Sequence, residues 1–274
     1  MRLPRILALF SATVLSAVAA LAGDAGPKLG LQSWTCRNMT FEQVVDFAVK
    51  HQLKYVEFTT GHLNPAAAPE ETARKQALLA KNGLVAYSFG VNQPGLDKEA
   101  NRKLFEFARL MGMKVIAVEP QDQAAWDNIE QLVKEYDIKV AIHNHNLNTV
   151  YGNPATVKAV LAKRDHRIGV CLDVGWITAA GFDAAKVFEE YGDRVYDMHF
   201  KDKKVELSDG KPVPVDTEIG KGQANYAGLF AAVKKSGWSG VMALETDSKA
   251  FAEDPNRLAD EAKKFFEASM AGGK

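Results

Sequence analysis

The sequence predicts an α/β protein built as a single (β/α)8 TIM barrel, on three observations. Eight short apolar segments recur along the chain, and an amphipathic helical pattern follows each of them. The alternation runs for roughly 250 residues, the size such a barrel needs. No linker or low-complexity tract marks a second domain. The competing architecture, a doubly wound open sheet, carries a GxGxxG phosphate turn after its first strand, and none stands here.

The strands read LGLQSWTC, YVEFTT, VAYSFGV, VIAVEP, KVAIHNHN, IGVCLDVGW, VYDMHFKD and GVMALETD, in that order. Between them, Thr40 caps the first helix with Gln43 three residues on, and Phe41, Val44, Val45 and Ala48 share its inner face. Asn153 and Pro154 open another helix as cap and first helical residue, with Val157, Val160 and Leu161 inward. Further helical patterns begin near Pro69, Asp97, Trp126, Asp183, Asn225 and Pro255.

Residues 1–22 read differently. Arg2 and Arg5 precede an apolar run that ends in ALA before Gly23, the order of a secretory signal cleaved after Ala22. The alternative is an uncleaved membrane anchor, because the run is close to the shortest span. The expected mature domain is 23–274, secreted and periplasmic, with no membrane association after cleavage and with oligomerisation left open. Without Arg2 and Arg5 the chain has 32 basic and 34 acidic residues, which gives no basic footprint for nucleic acid. Its two cysteines, Cys36 and Cys171, are too few to staple a secreted fold and read as small buried hydrophobes.

In such a barrel the active site forms at the C-terminal strand ends. Those ends carry Glu119 on the fourth strand, His143 and His145 on the fifth, Asp173 on the sixth, His199 and Lys201 on the seventh, and Glu245 on the eighth. In an extended chain residues i and i+2 face the same way, so His143 and His145 are expected to point together. Imidazole and carboxylate ligands suit one divalent ion, Zn²⁺, Mn²⁺, Co²⁺ or Fe²⁺, with Mg²⁺ as the oxygen-preferring alternative. Two histidines, an aspartate and a glutamate around an ion leave positions for two substrate oxygens, a geometry that stabilises an enediolate while a base takes the adjacent proton. Lys201 is expected to point into the mouth and stabilise the developing oxyanion. Trp34, His62, Trp176 and Lys221, the last within the GKG at 220–222, are the expected substrate contacts. His51 and His166 read as solvated.

At these residues the chain resembles the xylose-isomerase-like barrel superfamily of sugar phosphate isomerases and epimerases, which also takes in inosose dehydratases, 3-keto-glycoside lyases and endonuclease IV nucleases. The carriers are VEP ending at Pro120, AIHNHN at 141–146, RIGVCLDVGW at 167–176, YDMHFKD at 196–202, IGKGQANY at 219–226 and ALETD at 243–247. The resemblance implies one divalent metal ion, acid/base chemistry beside a sugar carbonyl, and a lysine in HFKD near the substrate oxygen. Many members have glutamate on the fifth strand where this chain has histidine, which leaves His145, His143 or Glu119 to complete the metal shell. The reading adopted is His145, Asp173, His199 and Glu245 as ligands. Many members also follow DVG with histidine, where Trp176 stands here, so His143 and Glu119 become the expected base and acid.

The resulting expectation is a metal-dependent isomerase or epimerase acting on a small, non-phosphorylated carbohydrate. A 3-keto-glycoside or inosose lyase or dehydratase working by β-elimination is the alternative. An endonuclease IV-like phosphodiesterase would need more histidines and a basic surface. The remaining class is a non-catalytic sugar-binding barrel.

Overall fold

The structure, a computed structural model, describes residues 26–272. The expected signal segment at 1–22 lies outside the described residues. Eight parallel strands close into a barrel: β1 (Lys28–Gln32), β2 (Tyr55–Phe58), β3 (Val85–Asn92), β4 (Val115–Val118), β5 (Lys139–His143), β6 (Ile168–Asp173), β7 (Val195–Phe200) and β10 (Val241–Leu244), with β10 pairing β1 to complete the circle. The (β/α)8 barrel expected from the pattern is therefore the fold. The eight-unit pattern does not include the hairpin β8 (Asp202–Ser208) and β9 (Lys211–Thr217), which is inserted after β7 as a separate two-stranded antiparallel sheet. Its signal was present in Asp209-Gly210, both with positive φ, between strands of seven residues.

The helices form where local chemistry satisfies their ends. In α1 (Phe41–Lys50) the Thr40 side chain accepts from the Gln43 amide and the Gln43 side chain from the Thr40 amide, the expected capping box. Asp97 caps α3 (Lys98–Met111), and Asn153 caps α5 (Pro154–Leu161), which has proline in its first turn. The remaining helices are α2 (Pro69–Lys81), α4 (Ala125–Tyr136), α6 (Val174–Ala179), α7 (Ala184–Tyr191), α8 (Tyr226–Ser236), α9 (Lys249–Glu253) and α10 (Asn256–Ala271). His51, expected to be solvated, is buried, because α10 covers the end of α1 and bonds its ring through Asp260 and Asn256. His166 remains exposed beside Asp193.

The two-residue period of each strand divides the core into two layers. Ile116 and Val118 of β4, Val140 and Ile142 of β5, and Leu172 of β6 pack outward among the helices. Val115, Ala117, Ala141 and Cys171 form a separate cluster in the lumen. Continuing the inward parity by two residues turns Ala117 into Glu119, Ala141 into His143, Cys171 into Asp173 and Ala243 into Glu245. On these four strands small apolar side chains line the floor and titratable ones stand above them, whereas β7 puts Asp197 at the level of Cys171. Phe200 points the other way, into a group formed by Tyr226, Phe230, Phe265 and Phe266. Such aromatic burial contributes about 1.5–3 kcal/mol per ring and anchors the end of β7. Among the described residues no helix is long and apolar enough to cross a membrane.

Candidate active site and metal centre

Above the floor lies a cavity of about 830 Å³, lined by residues that include Glu119, His143, His199, Lys201 and Glu245. Four side-chain atoms at its foot are buried without a hydrogen-bond partner: His143 Nε2, Asp173 Oδ2, His199 Nδ1 and Glu245 Oε2. His143 Nε2 and Asp173 Oδ2 are 3.4 Å apart, and His199 Nδ1 is 3.5 Å from both Asp173 Oδ2 and Glu245 Oε2. Ligands at 2.0–2.2 Å from a tetrahedral ion stand about 3.4 Å from one another. His143, Asp173 and His199 offer three atoms close enough together to hold one divalent cation, and Glu245 stands beside them on the His199 side.

Each donor is aimed by a bond made on its other side. Asp173 uses Oδ1 to cap α6 through the Trp176 amide, 2.8 Å, which leaves Oδ2 facing inward. Asn144 clamps the same turn by exchanging two bonds with the Asp173 backbone. The His143 Nδ1 is 2.6 Å from Glu119 Oε1, and the His199 Nε2 is 3.0 Å from Glu57 Oε2. A carboxylate behind an imidazole fixes which nitrogen keeps its proton and leaves the other free as a ligand. Tyr151 holds the turn after Glu119, donating to Pro120 O while accepting from Trp126 Nε1.

The structure brings together Glu119, His143, Asp173, His199, Lys201 and Glu245. It places His143, not His145, in the four-atom group. The equal-parity argument fails for His145 because β5 ends at His143, and beyond it the pleat no longer sets direction. The half-buried His145 ring lies in the cavity wall, 4.5 Å from the Trp176 ring and 5.9 Å from that of His143. Trp34 and His62 line the cavity, with Trp34 largely exposed and His62 buried against Ser33 Oγ. Trp176 is not among the lining residues and packs against His145 and Lys203. Lys221, expected to contact substrate, is exposed and paired with Glu218. The GKG turn wraps a carboxylate instead of a ligand: the Gly220 and Gly222 amides donate to Asp202 Oδ2, and the Ala224 amide donates to Oδ1.

Lys201 is only 1% exposed, which rules out a solvated loop position. Its ammonium bonds Asp247 Oδ2 at 2.9 Å and forms ion pairs with Asp173 Oδ2, 3.1 Å away, and with Glu245. Gly175 makes room for the stem, since a Cβ there would come within 2.7 Å of Lys201 Cγ. Burial opposes the charge on Lys201, but Asp173 and Glu245 outweigh it and hold the ammonium well above its ordinary range. Burial likewise opposes ionisation of Asp173, and the Lys201 charge with the two neighbouring imidazoles keeps it well below the carboxylate range. For His143 burial is outweighed by the neighbouring Asp173 and Glu119 carboxylates, which raise it to about 9. His145 is shifted the other way, lowered by burial and then by the charge of His143.

Sequence reasoning missed Glu57, Asp197, Lys203, Asp216 and Asp247. For Glu57 the signal was weaker than for the others, a carboxylate inside the short strand YVEF, between Val56 and Phe58. Lys203 reads as part of the polar run KDKK, yet it is 2% exposed and paired with Asp216 and Asp247, because the inserted hairpin folds back over the barrel.

A family model described as xylose isomerase-like TIM barrel matches residues 45–269. The chain belongs to this family. This family member is 23% identical to the inosose dehydratase of Lacticaseibacillus casei, over 60% of its own length and 68% of the relative's. The crystal structure of an uncharacterized protein from Parabacteroides distasonis is 25% identical with a TM-score of 0.69, covering 88% of this chain and 98% of that one. The IOLI protein, solved with a bound zinc atom, shares the fold at 16% identity and a TM-score of 0.69, covering 90% and 99%.

The site geometry predicts the metal stoichiometry of this xylose isomerase-like barrel. Zinc-loaded, desalted protein is expected to retain about one ion per chain by atomic emission. Asp173→Asn and His143→Gln are expected to lose it, while His145→Gln keeps it; the reverse pattern for the two histidines would return His145 to the ligand set.

Proposed function

We propose that the protein is a divalent-metal-dependent enzyme of the sugar isomerase/epimerase type, removing the proton next to the carbonyl of a non-phosphorylated sugar or keto-sugar. The observation that carries this reading is the convergence of His143, Asp173 and His199 donor atoms, with Glu245 beside them, at the foot of a cavity that also holds a separate imidazole and an ammonium. When bound, a divalent ion there supplies polarisation of the substrate carbonyl. The chain's own residues supply the rest. His143, Asp173, His199 and Glu245 would hold the ion.

His145 is the group for the proton transfer. Its depressed basicity keeps it neutral near pH 7, and a neutral imidazole in the cavity wall accepts a proton. The roles expected for His143 and His145 are thereby exchanged. Glu119, kept ionised because its bond to His143 outweighs burial, orients that imidazole. Lys201 donates to the oxygen on which negative charge develops, an interaction stronger in the transition state than in the bound ground state. Trp34 offers an apolar face for a sugar ring, supported from behind by Arg37, whose guanidinium lies 5.0 Å from the indole.

The kinship with an inosose dehydratase favours β-elimination as the second reading. The first step is shared, with the α-proton passing to His145. The β-hydroxyl then takes that proton from the His145 imidazolium and leaves as water, and an enone remains. Export, and with it a substrate lacking phosphate, is also part of the proposal, supported by the order of charged, apolar and small residues in 1–22.

Incubation of zinc- or manganese-loaded protein with ketoses, inososes and 3-keto-glycosides in deuterated water tests the reaction. Deuterium at one carbon of an intact sugar is expected; loss of water or an aglycone would establish elimination, and no exchange with any of them would favour a binding barrel. Lys201→Met is expected to lower turnover on the order of 10²-fold with metal content unchanged. A parental rate would leave that lysine a counter-ion only. Mass spectrometry of the protein expressed with its full leader should find Gly23 at the N-terminus; an intact Met1 would defeat the export reading.

A further inference from the structure

Directly behind His199 the barrel lumen is polar where packing alone would make it apolar. Glu57, Ser88 and Asp197 are each 0% exposed there, and the Tyr87 hydroxyl donates to Asp197 Oδ1 at 2.8 Å. Burying a carboxylate at that depth is costly unless a partner compensates it. Among the described residues the one ion-pair partner of Glu57 is His199. The lumen is shaped to admit the group: a Cβ at Gly90 would lie 2.7 Å from Glu57 Oε1 and 2.5 Å from the Ala117 methyl. Glycine at that place on β3 leaves the space the carboxylate occupies.

We infer that Glu57 is the positioning residue of the metal centre. It accepts the Nε2 proton of His199 and so presents the unprotonated Nδ1 toward Asp173 and Glu245. An imidazole has two distinct nitrogens, and a ring free to rotate or to exchange tautomers would offer the wrong one part of the time. The 3.0 Å contact at Nε2 removes that freedom, and the carboxylate behind the ring makes Nδ1 a better donor. Glu119 stands in the same relation to His143 with the nitrogens exchanged, Nδ1 held and Nε2 free. Each imidazole therefore has its own carboxylate, from β2 and from the end of β4, on the side away from the other ligands.

The inference rests on His199 being a ligand, so the test separates the two. Cobalt(II) affinity is measured by competition with a chelating dye, alongside the visible spectrum of the bound ion, for the parent, His199→Gln, Glu57→Gln and Glu57→Leu. His199→Gln is expected to abolish tight binding; parental affinity in that variant would remove the ligand reading and this inference with it. Given that loss, Glu57→Leu is expected to weaken cobalt binding by about 10–100-fold and change the spectrum. Glu57→Gln, which keeps an acceptor oxygen, is expected to restore most of both. Parental affinity in Glu57→Leu, or an equal loss in both Glu57 variants, would overturn the positioning role. If Glu57→Leu does not fold, nitrogen-15 NMR of the zinc-loaded parent decides: His199 must carry its proton on Nε2, and a proton on Nδ1 overturns the inference.

Discussion

Closure of the barrel with a parallel register brings His143, Asp173, His199 and Glu245, at or just beyond the ends of β5, β6, β7 and β10, to one side of the lumen. Asp173 is paired in register with His199, His199 with Ala243, and His143 with Cys171 two residues below Asp173. Because the side-chain period is two, moving any one strand by a single residue would turn its site residue outward among the helices. The outward layer prevents this. Ile142, Leu172, Phe200 and Leu244 are all fully buried against helices, and a slipped strand would drive these side chains into the lumen. The apolar packing outside the barrel thus fixes the position of the polar chemistry inside it.

The second constraint is charge balance in a medium that screens poorly. Asp173, Glu245 and Asp247 converge on Lys201, and Asp216 and Asp247 converge on Lys203. Removing one member of such a buried set leaves the others uncompensated, at a cost of about 3–5 kcal/mol. The Asp216 carboxylate also accepts from the Thr246 hydroxyl and the Asp247 and Ser248 amides, so the hairpin is held to the loop that follows Glu245. An inserted hairpin that would be marginal alone becomes part of the wall of the site.

The first and last strands meet where a circular sheet has its seam, and Arg37 secures the mouth there. Its guanidinium donates to the carbonyls of Thr246, Asp247 and Ser248 and to that of Trp34. The same group therefore ties the turn carrying Trp34 to the loop carrying Asp247, so both sides of the cavity mouth are held in one rigid arrangement.

The number of β-α units, the helix caps and the inward parity of each strand were all present in the sequence, because they depend on neighbours within four residues. Glu119, His143, Asp173, His199 and Glu245 could be read as site residues for that reason: each ends a run whose period is local. The tertiary structure alone decided which residue completes the group. His143 and His145 are alike in sequence, and they part only because pairing with β6 ends at His143. The same holds for Lys203 and Lys221, two lysines in polar runs, one buried by a hairpin that folds back and the other left in water beside Glu218. The partner of Glu57 is 142 positions away at His199. A sequence period states which way a side chain leaves its own strand, whereas the group it meets depends on closure of the ring.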